Sequence, residues 1–307
     1  MSMEAARMAF TRTLLELARE DHTIFAAATD SRGSVTLGDF AAELPEQFVE
    51  CGIAEQDAIG ISAGLANAGL RPFVCGPACF YSLRSAEQVK VDVAYSHMNV
   101  KVIGVSGGVS YGALGMSHHA TQDIALFRAT PGLEIFIPAD GPQTVALTKY
   151  LAKSNDPAYV RMGRGAVPDV YGEDAPFVPG KANKLTEGSD AAIIACGEMV
   201  YPALKAAEAL AEEGIAVTVY DMHTLRPLDE DAILDAAETG LVVTVEEHCI
   251  HGGLGGAVAE VLGQYKPTRM RILGLPDAKH YPGTSAEVFA HYGLTAEGIA
   301  DAVRKGR

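Results

Sequence analysis

The sequence predicts an α/β protein of two domains, each a parallel sheet in a three-layer arrangement. Three observations predict it. Strand-like apolar runs alternate with helical patterns from end to end, as in parallel sheets covered by helices on both faces. A stretch with three prolines and four glycines, residues 165–189, interrupts that alternation. The 307 residues, 48% of them hydrophobic, are enough for two cores. The expected domains are residues 1–167 and 189–307, with a linker at 168–188.

Each element follows in order. The opening MSMEAARMAFTRTLLELARE reads as an amphipathic helix and lacks the apolar core and cleavage site of a signal peptide. Buried strands are expected at 24–30, 48–52, 71–75, 100–106, 133–139 and 158–162. Helices fit at 54–68, 85–97, 121–130 and 141–153. Beyond the break, strands are expected at 191–196, 215–221, 241–247 and 270–275, with helices at 200–213, 229–238, 254–264 and 295–304. LRPLD, 225–229, reads as a turn into the next helix, and Asp140 as a helix cap.

Composition excludes some classes of function. A net charge of −15 argues against nucleic-acid binding. No apolar run approaches about 18 residues, so no membrane-spanning helix is expected. The five cysteines (51, 75, 79, 196 and 249) have no metal-type spacing, and no other metal ligand set stands out. Their odd number, with no export signal, predicts reduced thiols and a cytoplasmic location.

Glu55 is the sharpest chemical feature. It sits among small and apolar neighbours in CGIAEQDAIGISAGLANAG. On spacing alone, a carboxylate that stabilises a helix start is the simpler reading.

The longer string GIAEQDAIGISAGLANAGLRPFV resembles the pyrimidine-binding domain of the transketolase family, and the second half of the chain resembles that family's C-terminal domain. The resemblance implies thiamine diphosphate as cofactor. It assigns Glu55 to a ring nitrogen of the cofactor's aminopyrimidine, with Ile53 beside it. In ACFYSLRSAEQVKVDVAY it implies an aromatic packed on that ring, Tyr81 first and Phe80 close behind. In Gly115-Met116-Ser117-His118 it implies that His118 orients substrate or moves a proton, while His119 points elsewhere. Arg7 and Ser34 match positions that hold an acceptor phosphate. Arg84 and Arg164 match phosphate-holding arginines of the related deoxyxylulose-phosphate synthases. Arg161 is a further candidate cation. TVEEHCIHGGLGGAVAEVL offers a glycine turn that could hold an anion, although a structural role for His251 and these glycines is favoured.

Two departures bear on substrate choice. Ser106 stands where transketolases carry a histidine, and Leu114 where they carry an aspartate. The Gly-Asp-Gly string that holds Mg²⁺ and diphosphate in this family is missing, Leu37-Gly38-Asp39-Phe40 being the nearest. The resemblance therefore implies an N-terminal subunit carrying the diphosphate domain and the Mg²⁺ ligands, in an α₂β₂ assembly. The expected activity is transfer of a two-carbon ketol unit from a ketose phosphate to an aldose acceptor. The alternatives are the β subunit of a 2-oxo acid dehydrogenase, a deoxyxylulose-phosphate-synthase-like half, and a non-catalytic scaffold. Against the scaffold stands Glu55 itself, because a buried unpaired carboxylate is costly without a role.

Overall fold

The computed structural model describes residues 3–307. The first domain is built on a seven-stranded sheet. Its strands run in the spatial order Thr224–Arg226, Glu134–Phe136, Ala158–Met162, Lys101–Val105, Arg71–Pro77, Ile24–Ala28, Phe48–Glu50. All neighbours are parallel except Thr224–Arg226, which pairs antiparallel with Glu134–Phe136. The second domain carries a five-stranded sheet in the order Arg269–Leu275, Leu241–Cys249, Ala191–Ala195, Val217–Asp221, Asn183–Thr186. Only Asn183–Thr186 is antiparallel there.

Side-chain alternation along the strands builds the layers. Phe73, Cys75, Ile103 and Val105 point to one face, where helices Ala6–Glu20 and Gly141–Leu151 bring Phe10, Leu14 and Leu147. Ala27, Val74 and Val102 point to the other face, toward Ile59 of helix Glu55–Asn67. That second core continues into the other domain through Ile194, Val242 and Leu254, so one apolar cluster joins the two sheets.

All ten expected strands form, most of them shortened by one to four residues. Three local findings differ from the reading of the sequence. LRPLD does lead into helix Glu230–Ala236, whose cap is Asp229, but Thr224–Arg226 before it is a strand of the first domain's sheet. The segment 168–188 includes strand Asn183–Thr186, which edges the second sheet. The helix expected at 85–97 is one α-helical turn, Ala86–Gln88, running into a π-helix, Val89–Tyr95. The cap at Asp140 forms as expected, its carboxylate accepting from Gln143 N at 2.9 Å.

The topology opens a crevice. The connection after Ile24–Ala28 leads to Phe48–Glu50 on one side, and the connection after Arg71–Pro77 leads to Lys101–Val105 on the other. Open parallel sheets bind ligands at the carboxyl ends of strands where connections diverge in this way.

Candidate active site

The crevice holds a cavity of about 410 Å³. Four loops, each following a parallel strand, line it with Thr29, Asp30 and Ser34, with Ile53 and Glu55, with Pro77, Phe80 and Arg84, and with Tyr111, Leu114 and His118.

Glu55 is the first residue of helix Glu55–Asn67 and is only 3% exposed. Its Oε2 accepts from Arg84 Nη1 at 2.8 Å. Glu55 is therefore buried but paired, which corrects the argument against a scaffold drawn from an unpaired carboxylate. The Arg84 guanidinium also lies over the Phe80 ring, 4.3 Å from its centre. Arg84 thus pairs with a carboxylate at the cavity wall through one of its donors, and its side chain stays 46% exposed. Ile53 projects into the opening, 74% exposed.

Of the two aromatics, Phe80 lines the cavity and Tyr81 does not. Tyr81 lies fully in the core, its ring against Gly76 and its hydroxyl 3.4 Å from Thr29 Oγ1. Phe80, on the same short helix Ala78–Leu83, faces the cavity. The His118 ring meets the edges of Phe80 and Tyr111, each at 5.5 Å between centres, and its Nδ1 lies 3.0 Å from Ser117 Oγ.

Tyr111 went unnoticed in the sequence, which offers only one aromatic inside a glycine-rich loop as a signal. A second cavity, of about 360 Å³, is lined by Arg7, Ser110, Arg164, Glu198 and Ser285. Arg164 lies over the Tyr111 ring at 5.0 Å. Arg7 donates from Nη1 to the backbone oxygen of Ser34 at 2.7 Å, which ties Ser34 to this second group. Arg7 Nε and Arg164 Nη1 are buried without hydrogen-bond partners. Burial, and then the neighbouring charge of Arg164, hold the Arg7 guanidinium below its usual range. Arg7 and Arg164 thus bring two cations with unused donors to a cavity that also carries the Glu198 carboxyl.

Other candidates lie elsewhere. Arg161 is buried at the domain junction, with Nε 3.1 Å from Asp123 Oδ2, and reaches neither cavity. The glycine turn of the second domain holds no free anion site, because Glu246 already accepts from Leu254 N at 2.7 Å and Gly255 N at 2.8 Å. Ser106 ends strand Lys101–Val105 with a left-handed φ of 61° and a buried hydroxyl lacking a partner. Leu114 is 56% exposed in the cavity and offers no hydrogen bond.

A parallel α/β domain with a buried carboxyl, an aromatic wall and a histidine at its strand ends, joined to a second α/β domain, defines a two-domain α/β protein with a candidate active site on its first sheet. Residues 3–170 match the transketolase pyrimidine-binding domain, and residues 180–299 match the transketolase C-terminal domain. The chain belongs to the transketolase family. It is 59% identical over 300 residues to an apulose-4-phosphate transketolase subunit of Phocaeicola vulgatus, covering 97% of this chain and 96% of that one. It is 36% identical to a 6-deoxy-6-sulfo-D-fructose transketolase subunit of a Clostridium species, covering 97% and 93%. A solved split-gene transketolase, described as an inactive β4 tetramer, superposes with a TM-score of 0.91 at 39% identity and covers 98% of both chains. The chain is thus a transketolase-type transferase subunit.

Proposed function

We propose that this chain is the pyrimidine-binding subunit of a cytoplasmic two-subunit transketolase that moves a ketol unit from a ketose phosphate to an aldose acceptor. The observation that carries this reading is Glu55, a carboxyl buried at the carboxyl ends of parallel strands inside a cavity. The same residues fit the pyrimidine end of thiamine diphosphate: a carboxyl for a ring nitrogen, the face of Phe80 for the ring, and the exposed Ile53 for its apolar edge. Bound there, the cofactor supplies the nucleophilic carbon and the electron sink.

The chain's own residues do the rest. Glu55 holds a proton at the pyrimidine nitrogen in a site shielded from water, where such a bond is strong. His118, at the mouth, exchanges a proton with a substrate oxygen. Arg7 and Arg164, with Ser34 behind Arg7, hold the substrate's anionic end. Two of the relatives are named for sugars carrying a phosphate or a sulfo group, which suits such a pair of cations. Arg84 stays with Glu55 and Phe80 and sets the polarity of the cavity wall.

The diphosphate and Mg²⁺ ligands belong, on this reading, to an N-terminal partner subunit in an α₂β₂ heterotetramer. The related split chain found as an inactive β4 tetramer supports the need for a partner. Residues 1–167 bind the pyrimidine and 189–307 form the C-terminal domain, which also takes strand Asn183–Thr186 from the segment between them. The test is reconstitution. Mixed with a partner subunit, thiamine diphosphate and Mg²⁺, the chain should cleave a ketose phosphate and pass two carbons to an aldose. Neither subunit alone should do so. Activity of this chain without a partner would overturn the reading.

A further inference from the structure

The loop that carries His118 turns through its own backbone bonds, such as Gly112 N to Val109 O and His118 N to Gly115 O, and meets its own domain at Met162, Phe80 and Arg164. Residues 107–120 include Gly107, Gly108, Gly112 and Gly115, and the loop's ends meet in a single bridge between Gly108 and Ala120. A glycine-rich loop of this length loses much conformational entropy when ordered. The second domain offsets that loss through several contacts. Glu247 Oε1 accepts from Val109 N at 2.7 Å, and Ser285 Oγ donates to Val109 O at 3.0 Å. Gly112, at φ 51°, packs closely on the second domain, where a Cβ would lie 3.3 Å from Gly283 O and Thr284 Cα.

The fourth contact adjoins His118 directly. His119 is buried and faces the second domain, with Nε2 2.9 Å from Gly112 O and Nδ1 3.4 Å from Nδ1 of the buried His280. The bond to the Gly112 carbonyl requires a proton on Nε2 of His119. Its Nδ1 is then an acceptor in the neutral ring, and His280 donates from Nδ1. The two rings stack 5.7 Å apart at 22°.

We propose that His280, Ser285 and Glu247 of the C-terminal domain are positioning residues that clamp the active-site loop and, through His119, hold His118 over the cavity. This inference rests on the proposed transketolase reading only for its kinetic test. The C-terminal domain then has a catalytic task, although none of its residues lines the Glu55 cavity.

The experiment has two arms. Hydrogen exchange on the purified heteromer reads the loop itself, independently of activity. His280→Ala should speed exchange in peptides covering 107–120 and leave those covering 24–28 and 55–67 unchanged. Exchange in 107–120 equal to wild type would overturn the clamp. In the kinetic arm, His280→Ala should lower kcat about 10- to 100-fold, as expected for a catalytic group displaced by about 1 Å. His280→Asn places an amide N–H where Nδ1 donates, and should recover most of that loss. In a His118→Ala background, His280→Ala should cost nothing further, because both act through one group. Additive losses, or no rescue by His280→Asn, would contradict positioning through His118. A wild-type heteromer without ketol transfer would instead defeat the functional reading while leaving the exchange result to judge the clamp.

Discussion

At the scale of single residues, the site turns on charges that have found, or still lack, a partner. Glu55 has Arg84 and Arg161 has Asp123, whereas among the described residues Arg7 and Arg164 have no carboxylate partner and each keeps a buried nitrogen unused. The last pair should therefore dominate recognition of an anionic substrate. Arg164→Ala should raise KM for phosphorylated substrates about 10- to 100-fold, the loss of one charged hydrogen bond of about 1.5–3 kcal/mol, with little change in kcat. Steady-state kinetics with phosphorylated and unphosphorylated donors checks this, and equal effects on both would refute it. The sequence could name Glu55, Phe80, Tyr81 and the arginines, but not their pairing. Glu55 and Arg84 meet across 29 positions through two different strand ends, which no local pattern reveals. Residues 80 and 81 share a helix whose successive side chains point about 100° apart, so the choice between them needed the helix phase.

At the scale of elements, apolar runs of five or more residues were readable because strands buried on both faces carry an uninterrupted signal. Thr224–Arg226 and Asn183–Thr186 were not. Each is a short antiparallel edge strand, of three and four residues, and each adds to a sheet already formed by other strands. The glycine turn at 252–256 was legible as a helix start, but its anion is intramolecular. Glu246 is fully buried and satisfies two N–H groups at the start of helix Leu254–Tyr265. Glu246→Ala should strand both donors and cost about 2–6 kcal/mol, at about 1–3 kcal/mol for each unsatisfied group. Glu246→Gln, which keeps one acceptor oxygen, should cost less. Chemical denaturation of the two variants tests the ranking, and equal stability of Glu246→Ala and wild type would refute it.

At the scale of the whole molecule, the two domains meet through buried carboxyls. Asp221 of the second domain accepts from Gln143 Nε2 and from the Tyr171 hydroxyl, both at 2.6 Å. Burial pushes its pKa up to about 7. Glu247 and Glu198 are also shifted upward, by burial in both and by repulsion from Glu198 at Glu247, with Arg161 opposing. Such groups bind their protons more tightly in the folded chain than in the unfolded one, where carboxyls titrate near about 4. Their contribution is complete below that ordinary value and is lost as pH rises through the raised one. The melting temperature should therefore fall from about pH 4 to about pH 8, and Asp221→Asn should shallow that fall below about pH 7. A melting temperature that rises across the interval would refute the assignment.

The same junction joins Thr224–Arg226 to the first sheet and brings Glu247 and Ser285 to the active-site loop. The two domains are thus two sheets that meet at a junction from which Glu247 and Ser285 reach the loop carrying His118. Cofactor chemistry depends most on the carboxyl at position 55. The most direct measurement is turnover of the heteromer carrying Glu55→Gln, with assembly followed by size and mass. Loss of kcat by about 10²- to 10⁴-fold, the usual worth of a positioned acid or base, is expected in an intact complex. Turnover within a few fold of wild type would contradict a role for Glu55 in activating the cofactor.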